Sequence, residues 1–252
     1  MGGAIALGAI ASGKVKDKDM VISYPLDYLV ERFDSLGYMG NFTSDNELAV
    51  AGADVVVIAV KPWMMEQVLR DIKDVVTSGQ VIVSVAAGVT FDQIEAGLRS
   101  EGQKLPPMFR VIPNTAIALG ESATFISHRG ASEAQTEKIV SLFATMGRVF
   151  LVEESQMAAV TALSSCGIAY AFRYIDAAVK GGVEMGLGRG ESLDIVIQTV
   201  KGALKMLETN HSEPQAEIDK VTTPGGLTLK GLEAMEKAGF SKAVISGIKA
   251  SK

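Results

Sequence analysis

The sequence has a single cysteine, Cys166, among its 252 residues, so no disulfide can form within the chain and a reducing compartment is its simplest home. Only two histidines are present, His128 and His211, far apart and each in a polar stretch where surface placement is expected. No His/Cys cluster stands at ligand spacing, so no metal site is expected. Neither a Gly-x-Ser-x-Gly elbow nor a Walker loop occurs. Cys166 has no base that can be named for it and is expected to be a buried structural thiol. Aromatics are scarce at 6%, which argues against a base-stacking platform. Lys and Arg (24) are outnumbered by Asp and Glu (29) and form no block, so nucleic acid is not an expected partner. No apolar run approaches the roughly 18 residues of a membrane span. The apolar start, Met1 to Ala11, lacks the basic flank of a signal peptide, and a cytoplasmic location is the expectation.

What is present is an ordinary globular composition, 48% hydrophobic and 21% charged, with 26 glycines and enough length for two domains. The first half alternates helical and strand patterns. Gly2 to Gly13 reads as a helix of small residues, Met20 to Ser23 as a strand, and Asp27 to Leu36 as an amphipathic helix. Val55 to Val60 is an unbroken apolar run suited to a strand buried on both faces of a parallel sheet. A helix from Trp63 to Val76, a strand from Val81 to Val85 and a helix from Thr90 to Leu98, N-capped by Thr90, repeat the pattern. Strands over Met108–Ile112, Ala123–Ser127 and Arg148–Val152, with a helix from Ser132 to Met146, complete an α/β parallel-sheet domain over residues 1–152.

Strand signals stop after Val152. Residues 153–252 read as an all-helical domain, with helices over Ser155–Gly182, Glu191–Glu208, Gln215–Val221, Gly225–Ala238 and Ser241–Lys249. Ala169, Ala171, Ala177, Ala178, Gly181 and Gly182 allow close helix approach, either within the chain or at a helical dimer interface.

Two segments point to chemistry. Ser23 lies 21 positions after Gly2, near the spacing at which dinucleotide-binding folds read the adenosine ribose. The stretch Ser23-Tyr24-Pro25 has no carboxylate to favour NAD and so leans towards NADP, though without an adjacent arginine to strengthen that lean. The second segment is Val221-Thr-Thr-Pro-Gly-Gly-Leu-Thr-Leu229. Here Pro224 suits a helix start, Thr223 suits an N-cap, and Gly225 and Gly226 bare the amides of a first turn. Such amides suit a carboxylate or phosphate, with the Thr228 hydroxyl close by. The same residues would also make a plain turn.

Together these segments resemble the Δ1-pyrroline-5-carboxylate reductase family along essentially the whole chain. Val221 to Glu236 looks like the family's C-terminal signature. Ala59-Val60-Lys61-Pro62, Ala86-Ala87-Gly88-Val89 and Ile112-Pro113-Asn114-Thr115 look like its cofactor-side loops, in order. The resemblance implies a Rossmann-type domain followed by a helical dimerisation domain, and reduction of (S)-1-pyrroline-5-carboxylate to L-proline with NADPH or NADH. The partners it implies are a small-molecule substrate and a second copy, as a homodimer or higher homo-oligomer. It assigns Gly2, Ser23, Tyr24, Asn46, Ala59, Val60, Lys61, Pro62, Ala86, Ala87, Gly88 and Asn114 to the cofactor. It assigns Glu154, Thr223, Gly225, Gly226, Leu227 and Thr228 to the substrate, with Thr228 bonding the ring nitrogen as the catalytic residue. Ser44 and Asn46 are expected to donate to a 2′-phosphate, so that NADPH binds at least as well as NADH.

The chain departs from the family pattern in three places. Of the family's Gly-x-Gly turn and its glycines only the third, Gly2, is present, so the sheet is expected without its first strand. Ser165 and Ile168 replace a glycine and a proline in Leu163-Ser-Ser-Cys-Gly-Ile-Ala-Tyr170, and Ala116 replaces a proline. A related imine or 3-hydroxy-acid reductase, or a truncated non-catalytic dimeric scaffold, remains the alternative.

Overall fold

The structure, a computed structural model, describes residues 1–24 and 41–252, so the expected helix Asp27–Leu36 lies outside the described residues. The chain forms two compact units, Met1–Ser165 and Cys166–Lys252. Residues 154–165 therefore pack with the first unit.

The first unit is built on a five-stranded sheet in the order β3 (Val55–Ile58), β4 (Val81–Ser84), β5 (Met108–Ile112), β6 (Ser122–Arg129) and β7 (Gly147–Leu151). The β3–β4, β4–β5 and β6–β7 pairs are parallel. The β5–β6 pair is antiparallel, which corrects the expectation of an all-parallel sheet. The reason is length: residues 113–121 hold only a 3₁₀ turn, Thr115–Leu119, closed by Gly120 at φ 74°, and a parallel crossover needs about a dozen residues or more.

Two short strands, β1 (Val21–Ser23) and β2 (Asn41–Thr43), pair in parallel as a separate sheet. In the doubly wound order 3-2-1-4-5-6, the first strand lies between the strands that β1 and β3 represent. Among the described residues β1 and β3 belong to different sheets. Val57 on β3 is 37% exposed, against the expectation of burial on both faces, while every residue of β4 and β5 is buried.

Helices cover both faces. α1 (Gly2–Ala11) and α5 (Glu133–Ala144) bring Ile5, Ile139 and Phe143 against Val81, Val83, Phe109 and Val111. α3 (Met65–Ile72) and α4 (Phe91–Leu98) bring Leu69, Ile72, Phe91 and Ile94 against Ile58 and Ile82. The period-2 alternation of β4 thus divides its side chains between two cores. α4 begins with a Thr90–Gln93 capping box and α5 with a Ser132–Gln135 box. A short helix, α2 (Asn46–Val50), and β2 were not expected from the sequence.

The expected helix Ser155–Gly182 is broken into a 3₁₀ turn (Glu154–Gln156), α6 (Met157–Val160), a π-helical segment (Thr161–Cys166) and α7 (Gly167–Glu184). In the second unit α7 is followed by α8 (Arg189–Asn210), α9 (Pro214–Val221), α10 (Leu227–Lys237) and α11 (Phe240–Ala250). α7 and α8 approach closely at Gly182, where an added Cβ would lie 2.7 Å from the Ser192 hydroxyl. Gly181, by contrast, faces open space. No helix among the described residues is long and apolar enough to cross a membrane.

Candidate functional site

Each unit carries one set of candidate residues. In the first, the predicted cofactor residues gather at the carboxyl ends of parallel strands, where open α/β sheets bind ligands. Ser23 ends β1, Ala59 to Pro62 follow β3, Ala86 to Gly88 follow β4, and Asn114 follows β5. The Val85 N–H donates to the Ile58 carbonyl (3.1 Å), holding the ends of β3 and β4 level. Gly2 opens α1 against this edge. A Cβ on Gly2 would stand 2.9 Å from the Ala59 Cβ, so only glycine lets the helix start come this near. Ile5 makes the first bond back to the Met1 carbonyl, and no side chain caps the helix, so the amides of Gly2, Gly3 and Ala4 point out of its positive end. That arrangement fits a dinucleotide pyrophosphate.

Around this edge the loops differ in burial. Ala86 is buried, whereas Ala87 and Gly88 are exposed, with Gly88 at φ 82°. Lys61 and Pro62 are exposed, and the Lys61 ammonium lies 6.0 Å from the Trp63 ring centre. The Tyr24 N–H donates to the Thr43 carbonyl (3.0 Å).

The segment leading out of the first unit is fastened to two of these loops. Glu154 Oε1 accepts from Arg110 Nη1 (2.8 Å) and from the Phe91 N–H (2.7 Å), the first residue of α4 after the Ala86–Thr90 loop. Its Oε2 lies 3.3 Å from Arg129 Nη2. Arg110 is 6% exposed and its Nε has no partner. Arg129 is also held by Asp92 and Glu95, and the Asp92 carboxylate raises its pKa further above the ordinary arginine value. Glu154 therefore already serves two arginines and a helix start. At the other end, the Ser165 hydroxyl donates to the Pro113 carbonyl (2.9 Å), and Asn114 Nδ2 donates to the Ser164 hydroxyl (3.2 Å). The serine that replaces a family glycine thus adds a bond to the Pro113–Asn114 loop, and π turns of this kind recur at functional sites. Arg110, Arg129 and Ser164 were not singled out from the sequence, because their partners lie tens of residues away.

Near Ser23, the Ser23 hydroxyl donates to Asn46 Oδ1 (2.8 Å), and Asn46 Nδ2 donates to Asp71 Oδ2 (3.1 Å). Asp71 Oδ1 also accepts from Gln67 (2.6 Å). One of the two hydrogens of the amide expected to donate to a 2′-phosphate thus goes to a carboxylate that sequence reasoning missed.

In the second unit, Thr223 to Gly226 form a turn, in which the Gly226 N–H donates to the Thr223 carbonyl (2.9 Å). Pro224 at the second position and Gly225 at φ 74° at the third suit a type II turn. A Cβ on Gly226 would lie 2.6 Å from the Thr223 hydroxyl, so this glycine is also required. The helix α10 starts later than expected, at Leu227, with Gly226 as its N-cap, so Thr223 is not the cap. Its first-turn amides, Leu227 to Leu229, carry no side-chain cap. Thr228 sits in this turn with an exposed side chain.

His128 and His211 are exposed, and Cys166 is half-buried rather than buried. No group of three potential metal ligands occurs among the described residues.

Residues 154–252 match the family described as pyrroline-5-carboxylate reductase dimerisation, and residues 1–88 match NADP oxidoreductase coenzyme F420-dependent. Pyrroline-5-carboxylate reductase 2 of Dictyostelium discoideum is 36% identical over 98% of this chain and 86% of its own length. Pyrroline-5-carboxylate reductase 1 of the same organism is also 36% identical over 98% of this chain, but this chain spans only 46% of its length. The reductase of Pisum sativum is 32% identical over 100% of this chain and 90% of its own. Among solved structures, the pyrroline carboxylate reductase of Plasmodium falciparum with NADP bound aligns with a TM-score of 0.90 and 28% identity, covering 100% of this chain and 91% of that one. The Coxiella burnetii enzyme aligns with a TM-score of 0.86 and 28% identity, over 99% and 92% of the two chains.

Proposed function

Because this chain belongs to the pyrroline-5-carboxylate reductase family, we propose that it reduces (S)-1-pyrroline-5-carboxylate to L-proline at the expense of NAD(P)H. The observation that carries the cofactor side of this reading is the Gly2 contact with Ala59, together with three uncapped amides at the start of α1. A dinucleotide needs both a close backbone approach and a positive helix end. The loops after β3, β4 and β5 supply Ala59 to Pro62, Ala86 to Gly88 and Asn114 as its remaining supports. Bound NAD(P)H supplies the hydride that reduces the imine carbon.

The chain's own residues bind and orient. The Leu227, Thr228 and Leu229 amides, at the positive end of α10, hold the substrate carboxylate. This shifts the anchor forward from the amides at Gly225 and Gly226 that the sequence suggested, because the Gly226 N–H is used in the turn and α10 starts at Leu227. Thr223, Gly225 and Gly226 shape the turn that presents these amides. The Thr228 hydroxyl bonds the ring nitrogen and orients it. Glu154, with both oxygens engaged, acts by position rather than by direct contact.

The enzyme acts as a homodimer joined through the helical unit, in the cytoplasm, where a single thiol remains reduced. The test is oxidation of NADPH and of NADH on addition of the cyclic imine, with proline as product. Turnover of a 3-hydroxy acid in preference to the imine, or dinucleotide binding without any turnover, would overturn the assignment.

A further inference from the structure

The ribose end of the cofactor edge has a feature that sets which dinucleotide fits, and the inference rests on the cofactor reading above. Ser23 ends β1 at the position that reads the adenosine ribose in doubly wound folds. Its hydroxyl, the Asn46 amide and the Asp71 carboxylate form a chain, Ser23 to Asn46 at 2.8 Å and Asn46 to Asp71 at 3.1 Å.

The polarity of this chain is fixed from one end. An aspartate carboxylate only accepts hydrogen bonds. The Asn46 amide must therefore turn its NH₂ to Asp71, which leaves its carbonyl oxygen facing Ser23. A carbonyl oxygen also only accepts, so the Ser23 hydrogen is committed to it. What Ser23 has left to offer is a lone pair. A ribose 2′-hydroxyl can donate to that lone pair, whereas a 2′-phosphate dianion needs donors there. Asp71 is held in place by α3 itself, through Gln67 four residues earlier, and faces Asn46 from another element. The neighbouring loop adds to the same bias, because Thr43 to Glu47 contains Asp45 and Glu47 and neither Lys nor Arg. Asp45 is moreover occupied in capping α2 through the Glu47 and Leu48 amides.

We propose that Asp71 is a specificity-determining residue that, through Asn46, makes Ser23 a hydrogen-bond acceptor and biases the site from NADPH towards NADH. Asp71 does not touch the dinucleotide in this scheme. It acts by fixing which way two hydrogen bonds run. Replacing it with asparagine keeps the size and lets either end of residue 71 face Asn46. The Asn46 amide can then turn over, and its NH₂ and the Ser23 hydroxyl become donors for a phosphate.

The experiment is direct titration of the full chain with NADH and with NADPH, following nicotinamide fluorescence or heat, for wild type, Asp71→Asn and Ser23→Ala. Wild type is expected to bind NADH at least as tightly as NADPH. Asp71→Asn is expected to raise the relative affinity for NADPH about fivefold, the effect of one redirected hydrogen bond. Ser23→Ala, which removes the lone pair, is expected to weaken NADH more than NADPH. Thermal melts of each variant check that the fold is kept. A wild-type preference for NADPH of about tenfold or more, or an unchanged affinity ratio in a folded Asp71→Asn variant, overturns the proposal while leaving the cofactor reading intact. Wild-type protein that binds neither dinucleotide overturns the cofactor reading and this proposal together.

Discussion

The two units bury their apolar residues in opposite ways. In the first, Phe91, Phe109, Phe143, Ile82, Ile94 and Ile126 are each 1% exposed or less, and the sheet is packed on both faces. In the second, an 87-residue unit by its bounds, Val179 and Ser192 are the buried residues among those described. Phe172, Met185, Leu204 and Leu227 meanwhile stand 57% to 87% exposed. α8 shows the pattern most clearly. Leu193, Ile197 and Leu204 share one face, Ile195 and Met206 the opposite one, and all five are exposed. A helix that is apolar on opposite sides belongs in an interior. That much exposed apolar surface on a unit of this size fits a homo-oligomer, which the matched dimerisation family supports. The first unit has a packed core of its own, whereas the second buries few of its residues, in keeping with the dimerisation family that its sequence matches.

The most severe way to test this contrast is to charge the open face. Leu204→Asp is expected to abolish the dimer, giving monomer or aggregate by size exclusion with light scattering, and to remove imine-dependent NAD(P)H oxidation. A Leu204→Asp protein that remains a dimer with wild-type thermal stability would show that the exposed stripe is ordinary surface.

A smaller effect is expected inside the packed core, at the charge cluster that anchors its outgoing segment. Arg110 is nearly buried and its partner Glu154 is 30% exposed. Arg110→Met removes the strongest partner of Glu154 and leaves the carboxylate with the Phe91 amide and the partly exposed Arg129. The expected cost is about 3 kcal/mol in urea unfolding, since removing one member of a buried pair strands the other. The double variant Arg110→Met, Glu154→Met is expected to recover part of that loss. An equal loss in the double variant would mean that packing, and not the pair, is what Arg110 supplies.

These two regions also differ in how much of them is legible in the sequence. Strand β3 follows from the unbroken apolar run Val55–Val60, β4 and β5 from short, mostly apolar stretches, and the starts of α4 and α5 from Thr90 and Ser132 with a glutamine three residues on, because these signals are local. The loops at the strand ends are legible for the same reason, as short ordered motifs. The charge cluster is not, since Arg110 and Glu154 are 44 residues apart and meet only when β5 and the outgoing segment pack. The Ser23–Asn46–Asp71 chain spans three elements and leaves no periodic trace. The antiparallel turn of β6 is set by the shortness of its connection, which an apolar pattern does not reveal. The π-helical break reads as continuous helix in sequence, because what disrupts it is the bonding of Ser164 and Ser165 to a loop some 50 residues earlier.

The mildest effect, and the one that separates function from packing in the open unit, belongs to Thr228. Its side chain is exposed in the first turn of α10, so it contributes little to the stability of the chain itself. If its hydroxyl bonds the ring nitrogen, Thr228→Val keeps the shape and loses the bond. The expected result is about a tenfold fall in kcat/KM for the imine, the effect of one hydrogen bond to a buried polar partner, with thermal stability and NAD(P)H affinity unchanged. Thr228→Ser retains the hydroxyl and is expected to keep much of the activity. Thr228→Ala is expected to match Val in rate. A fall in kcat as well as in kcat/KM would place the bond in the transition state, strengthening as the nitrogen becomes an amine, whereas a rise in KM alone would place it equally in the bound substrate. If Thr228 only fills space in the helix start, the order reverses, with Val harmless and Ala costing stability instead of rate. Wild-type kinetics in a normally folded Thr228→Val dimer would therefore remove the hydroxyl from the reaction and leave the α10 amides as what this turn offers the substrate.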